Sequence, residues 1–149
     1  MDLQVIEQEH FLVDEAATLT MGRKLAANLR AGMTIFLNGP LGAGKTTLCR
    51  GLLQSYGYTG IVKSPTYTLV ETYQYLTIPV CHFDFYRLGD GEELEYIGIR
   101  DYFSGVNLCL VEWAERAESY LPKPDITICL IPTNQSGQHG RKLVVKSTN

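Results

Sequence analysis

The sequence has no apolar run of the length that a bilayer-spanning helix needs. Its opening residues, Met1-Asp2-Leu3-Gln4, lack the basic region and long apolar core of a signal peptide. No membrane partner is therefore expected. The four cysteines, Cys49, Cys81, Cys109 and Cys129, are widely separated and form no C-x-x-C pair. That spacing argues against a zinc site. Three of them lie inside apolar, strand-like runs, which points to reduced, buried thiols in a cytoplasmic protein. Charge of one sign is scarce too. A net charge of −3 leaves no basic face or stripe for a stand-alone nucleic-acid binder. The close basic pairs Arg23-Lys24 and Arg141-Lys142 read as solvated surface, so any RNA contact is expected to pass through a partner. No internal repeat, low-complexity tract or linker interrupts the chain. With 149 residues, 45% of them hydrophobic and 19% charged, one domain over 1–149 with a sizeable core is expected.

What is present is concentrated in Gly39-Pro40-Leu41-Gly42-Ala43-Gly44-Lys45-Thr46, which fits G-x-x-x-x-G-K-[ST] at every fixed position. Glycines 39, 42 and 44 let the backbone take conformations that a Cβ blocks, so that its N–H groups can wrap a phosphate. Lys45 brings positive charge to the β- and γ-phosphates. Thr46 offers a hydroxyl to Mg²⁺. Together with Thr47, the residues Pro40, Leu41, Gly42, Ala43, Gly44, Lys45 and Thr46 form the expected nucleotide cradle. The context agrees. Thr34–Asn38 reads as a buried strand, and Thr46–Gln54, with Leu48 and Leu52 four apart, reads as a helix whose positive end faces the phosphates.

Around this core the pattern predicts an edge strand at Val5–Phe11 and a helix from Asp14 to about Leu29, with Gly22 as its weak point. A strand is expected at Tyr67–Tyr75, and another at Val80–Tyr86. Period two on the latter puts His82, Asp84 and Tyr86 on one face and Phe83 and Phe85 on the other. Glu92–Phe103 reads as partly helical, Leu108–Val111 as a buried strand and Ala114–Leu121 as a helix. Asp125–Ile131 and Lys142–Lys146 read as an antiparallel hairpin around a polar turn, Asn134–Gly140.

A P-loop nucleotidase needs an acid at the end of a second apolar strand to hold Mg²⁺. Glu112 follows Leu108-Cys109-Leu110-Val111 and is the preferred candidate. Asp84 is the second, because a carboxylate on a mostly apolar strand is costly unless it is paired or functional. It is expected near the γ-phosphate, orienting the attacking water or sharing the metal. The structural alternative is that it pairs with Arg87 or caps a turn. The hydroxyls of Ser64-Pro65-Thr66 can sense nucleotide state, although the pattern alone reads as a loop kink. Trp113 reads as core or as a neighbour of the nucleotide. His82 reads as a hydrogen-bonded strand residue rather than a catalyst.

Taken together, Gly39–Thr46, Ser64-Pro65-Thr66-Tyr67, His82-Phe83-Asp84-Phe85-Tyr86-Arg87-Leu88 and Leu110-Val111-Glu112-Trp113 resemble the TsaE family, formerly YjeE, of small bacterial P-loop ATPases. The resemblance spans almost the whole chain. It implies an α/β fold, a P-loop NTPase-like three-layer sandwich with a mixed sheet and antiparallel C-terminal strands. It also implies a role in forming N6-threonylcarbamoyladenosine beside the anticodon of tRNAs, through binding to TsaB and TsaD and hydrolysis of ATP. Contact with tRNA would then be indirect. By resemblance, Lys45 and Thr46 serve phosphate and Mg²⁺, Thr66 belongs to a switch-like loop, Asp84 is catalytically important, Glu112 is the Mg²⁺-associated acid and Trp113 lies near the nucleotide. Arg87 is a further site or partner residue.

The strand-end acid is Glu where P-loop hydrolases usually have Asp. No arginine finger is visible, which predicts slow intrinsic hydrolysis, since such a group can be worth ~10³-fold or more. Two rivals share the P-loop: a small-molecule kinase, which would want an Arg-rich lid, and a nucleotide-gated binding module. The sequence lacks the Asn/Thr-Lys-x-Asp signature for guanine, which favours ATP.

Overall fold

The computed structural model describes residues 5–148. Met1–Gln4, read above as no signal peptide, lies outside the described residues. The elements follow in the order β1 (Val5–Leu12), α1 (Glu15–Ala26), β2 (Thr34–Asn38), α2 (Lys45–Ser55), β3 (Val70–Tyr73), β4 (Val80–Asp84), α3 (Glu92–Tyr96), α4 (Ile99–Tyr102), β5 (Leu108–Glu112), β6 (Ile126–Gln135) and β7 (Gln138–Thr148). They build a seven-stranded sheet in the order β1-β7-β6-β2-β5-β4-β3. The centre, β6-β2-β5-β4, is parallel. Both flanks are antiparallel: β7 and β1 beyond β6, and β3 beyond β4.

Strands buried on both faces read as continuous apolar runs, because neither face meets water. Leu108–Glu112, apolar up to its terminal acid, is buried throughout in this way, and Val80–Asp84 is buried throughout although it carries His82 and Asp84. Alternate residues feed opposite cores. Ile35, Leu37, Val80, Leu108 and Leu110 pack with α1 and α2. Cys81, Phe83, Cys109 and Val111 pack on the other side with Leu94 of α3 and Ile99 of α4. Helices therefore cover both faces of the mixed sheet, the expected three-layer P-loop architecture.

Several boundaries differ from the sequence reading. Helix α1 is capped by Asp14, whose carboxylate accepts the Ala17 N–H at 2.8 Å, and it stops at Ala26 before a turn. Gly22 is a contact rather than a flaw: a Cβ there would run into the Leu48 carbonyl, and one at Gly51 into that of Leu19. The two glycines let α1 and α2 touch backbone to backbone. Strand β3 is shorter than Tyr67–Tyr75, since Leu69 has φ 69° and a turn precedes it. Ala114–Leu121 is not one helix but two 3₁₀ turns, Ala114–Arg116 and Glu118–Tyr120, broken at Ala117 with φ −136°. The hairpin is longer than expected, and its turn is only Ser136-Gly137, at φ 52° and 80°. Paired positive φ values match the right-handed strand twist.

Candidate functional site

Because β2, β5 and β4 are parallel, their carboxyl ends meet at one edge of the sheet, where α/β folds place ligands. Asp84 and Glu112 are register partners at that edge, and Leu37, next to the phosphate loop, pairs with Glu112. The loop itself has Gly39, Gly42 and Gly44 at φ 154°, 77° and 108°. Gly44 opens α2 in the left-handed conformation with no side chain capping the first turn. The free N–H groups of that turn and the helix dipole make an anion cradle. Leu41, Gly42, Lys45, Thr46, Ser64, Thr66, Asp84, Glu112 and Trp113 line a cavity of about 220 Å³ beside it. A larger cleft, about 490 Å³, lies at the opposite end of β2, where Leu25, Leu29, Met33, Ile126 and Ile128 give it an apolar wall. It holds none of the charged residues predicted from the sequence.

The charges at the edge are buried and face one another. Lys45 is 6% exposed, and Asp84 and Glu112 are each 3% exposed. Lys45 Nζ donates to the Gly39 carbonyl at 2.5 Å, lies 4.0 Å from Glu112 Oε1 and sits 4.3 Å from the centre of the Trp113 ring. Asp84 Oδ2 accepts from Ser64 Oγ at 2.8 Å and from Thr66 Oγ1 at 2.9 Å. Its Oδ1 accepts the Tyr86 N–H at 2.9 Å. Asp84 therefore caps a turn and also ties down the Ser64-Pro65-Thr66 loop. It makes no pair with Arg87, whose guanidinium lies over the Tyr67 ring and donates to its hydroxyl at 3.1 Å.

Beneath Glu112 lies His82, fully buried. Its Nε2 donates to Glu112 Oε2 at 2.6 Å, and Cys49 Sγ is 3.7 Å from the same nitrogen. Burial penalises the charged imidazole, while the contacts with Cys49 and Glu112 favour it and shift the His82 pKa upward. Burial also pushes the Cys49 thiol up. With the thiol neutral, the Glu112 carboxylate is the charge beside His82 that favours its protonated form.

The ligand atoms of Cys49, His82 and Glu112 lie within 4.8 Å of one another, a cluster that the search for C-x-x-C spacing could not reveal. The 2.6 Å His82–Glu112 separation is a hydrogen bond. Two ligands of one tetrahedral zinc, each ~2 Å from the ion, would stand farther apart than that. At the mouth, the Thr46 hydroxyl and the Asp84 and Glu112 carboxylates are hard oxygen donors, a set that suits Mg²⁺.

Of the residues singled out in the sequence, Leu41, Gly42, Lys45, Thr46, Ser64, Thr66, Asp84, Glu112 and Trp113 line this cavity, whereas Pro40, Ala43, Gly44 and Thr47 do not line it and Arg87 faces Tyr67. Trp113 is half-buried at φ 57°, a strained conformation that presents its ring to Lys45. Sequence reasoning missed three neighbours. Arg116 sits 5.3 Å from the Tyr86 ring and 5.8 Å from the Trp113 ring. Arg141, read as solvated surface, is half-buried, and a Cβ on Gly44 would meet its Nη1 at 2.7 Å. Strand β7 carries it under the phosphate loop, a placement set by sheet order and invisible in a local charge pair. The third is Cys49, whose only sequence signal was its spacing of four from Lys45 on one helix face.

Comparison with known proteins gives a consistent result. The family model described as threonylcarbamoyl adenosine biosynthesis protein TsaE matches residues 12–143. A Haemophilus influenzae protein named tRNA threonylcarbamoyladenosine biosynthesis protein TsaE is 50% identical over 123 residues, covering 79% of this chain and 78% of its own. A Bacillus subtilis protein of the same name is 39% identical over 118 residues, covering 79% and 73%. The crystal structure of Bacillus subtilis YdiB superposes with a TM-score of 0.78 at 28% identity, covering 100% of this chain and 89% of that one.

Proposed function

The chain belongs to the TsaE family of tRNA threonylcarbamoyladenosine biosynthesis, and from that premise we propose that it is an Mg²⁺-dependent ATPase that binds TsaB and TsaD and supports their modification of tRNA. The observation that carries the ATPase reading is the convergence of Lys45, Thr46, Asp84 and Glu112 on one cavity at the mouth of the phosphate loop. The loop N–H groups from Leu41 to Thr46 receive the phosphates. Lys45 exchanges the Gly39 carbonyl for the β- and γ-phosphate oxygens. Thr46 and Glu112 hold Mg²⁺. When bound, the ion neutralises charge developing on the phosphoryl oxygens. Asp84 orients the attacking water, and Thr66, released from Asp84, reports the γ-phosphate to the Ser64-Pro65-Thr66 loop. Trp113 covers Lys45 and borders the nucleotide. The reading includes a cytoplasmic location, where tRNA is modified, with tRNA reached only through the partners. No helix among the described residues is long and apolar enough to cross a membrane.

A second reading, the nucleotide-gated binding module, draws support from the Asp84 contacts with Ser64 and Thr66. A loop tied to a catalytic carboxylate can change partner affinity on nucleotide binding alone. The kinase rival has less support, since no Arg-bearing lid is seen over the cavity among the described residues. Hydrolysis of ATP with Mg²⁺, measured alone and with TsaB and TsaD beside a Lys45→Ala control, separates these readings. Partner stimulation that disappears in the control is the expected result. If Asp84→Ala binds ATP and sustains full tRNA modification without hydrolysing it, the gating module is correct instead.

A further inference from the structure

Helix α2 lies across the sheet so that Lys45 and Cys49, one turn apart, face Glu112 and His82. This makes two rungs. Lys45 stands 4.0 Å from Glu112 Oε1 at the cavity, and Cys49 stands 3.7 Å from His82 Nε2 one turn deeper. The 2.6 Å hydrogen bond from His82 to Glu112 Oε2 joins the rungs diagonally. The register explains the diagonal: His82 pairs with Leu110, so Glu112 is two residues on and on the same face. Glu112 lines the cavity, whereas His82 is fully buried behind it and does not.

We propose that His82 is the positioning residue of Glu112, holding Oε2 so that Oε1 stays aimed at the cation and phosphate side of the cavity. The inference rests on the Mg²⁺–nucleotide reading above and deepens it. A glutamate has one more rotatable bond to fix than the aspartate that P-loop sites usually place here. Lys45 alone cannot fix it, because the same ammonium is called to the phosphates and already bonds the Gly39 carbonyl. Once Lys45 turns to phosphate, a carboxylate only 3% exposed loses its side-chain cation, and its second oxygen still needs a donor. His82 is the donor that remains. Outer partners of this kind tune metal affinity and activity by ~10–100-fold.

Nucleotide binding to the full chain can be followed by fluorescence of Trp113, the only tryptophan, with ATP titrated in EDTA and then at rising Mg²⁺. For folded His82→Ala, ATP affinity in EDTA is expected to match the wild type, while half-saturating Mg²⁺ rises by roughly tenfold or more. His82→Gln, whose amide nitrogen can still donate to Glu112, is expected to recover most of that loss. Hydrolysis should follow the Mg²⁺ shift as a lowered turnover rather than a raised ATP KM. Unchanged Mg²⁺ dependence in His82→Ala would overturn the proposal, and so would equal losses with and without Mg²⁺. Failure of both variants to fold would also overturn it, by making His82 a core residue only. A wild-type chain whose ATP binding ignores Mg²⁺ would instead sink the metal-dependent reading, which no His82 variant is needed to see.

Discussion

The parallel centre of the sheet and its antiparallel wing are built on opposite terms. In the centre, β4 and β5 are buried along their whole length and end in carboxylates, and Lys45, His82, Asp84 and Glu112 are all buried at or beneath that edge. In the wing, β6 alternates buried and half-buried residues before its outer half becomes mostly exposed. Leu130 and Leu143 meet there as register partners, 1% and 0% exposed. Among the described residues, the wing buries no charge. The centre spends hydrophobic burial to hold Lys45 and His82 against Glu112, whereas the wing contributes burial, apart from Arg141 of β7, which reaches Gly44. Disturbing the first should impair binding and chemistry, and disturbing the apolar core of the second should impair stability only.

The largest expected effect comes from Glu112→Ala, which strands His82 and Lys45 opposite an empty position. A loss of about 3–5 kcal/mol in urea unfolding is expected, with Mg²⁺-dependent ATP hydrolysis near background. Near-normal stability in that variant would mean that the central charges are not mutually compensated. Next comes Leu143→Ala in the wing, expected to cost about 2–5 kcal/mol through its cavity while ATP affinity per folded molecule stays unchanged. Weakened ATP binding there would erase the division between the two regions.

Asp84→Asn should lower turnover by ~10²-fold with ATP affinity nearly kept, and limited proteolysis should cut faster between 60 and 68 as Ser64 and Thr66 lose their charged acceptor. Unchanged cleavage would show that the loop is held by other contacts. The smallest effect belongs to Tyr56, whose hydroxyl donates to the Ala26 carbonyl at 2.9 Å and ties α2 to α1. Tyr56→Phe should cost about 1 kcal/mol.

Burial raises the Tyr56 phenol to about 12, above its ordinary value of 10. The folded state thus keeps the proton longer than the unfolded one. The resulting stability is complete below pH 10 and is lost as pH climbs toward 12. Stability–pH curves of the wild type and Tyr56→Phe should therefore converge over that interval. Curves that stay parallel would place the alkaline loss elsewhere, for instance at Tyr73, which is raised in the same way.

Legibility in the sequence followed the range of the interaction. The phosphate loop could be read because its glycines and Lys45 act on a ligand through neighbours in the chain. Strands β2 and β5 could be read because burial on both faces leaves apolar runs, and β4 because its polar residues fall on alternate positions. The segment Ala114–Leu121 could not, since its composition allows a helix and the break at Ala117 arises where the chain turns back over the core formed by β4 and β5. Glu112 and Asp84 stood out as acids ending apolar strands. The pairing of His82 with Glu112 and with Cys49 did not: a histidine on a strand and a cysteine on a helix carry no mark of each other.

By itself the sequence determined the phosphate cradle, the central strands and the identity of the two carboxylates, because local backbone freedom and the burial pattern are written residue by residue. Only the tertiary structure decided that Glu112 leans on His82, that Asp84 holds Ser64 and Thr66, and that Arg141 lies against Gly44. Those pairings depend on sheet order and register. These are settled by the packing of both faces at once, and no short stretch of chain encodes that.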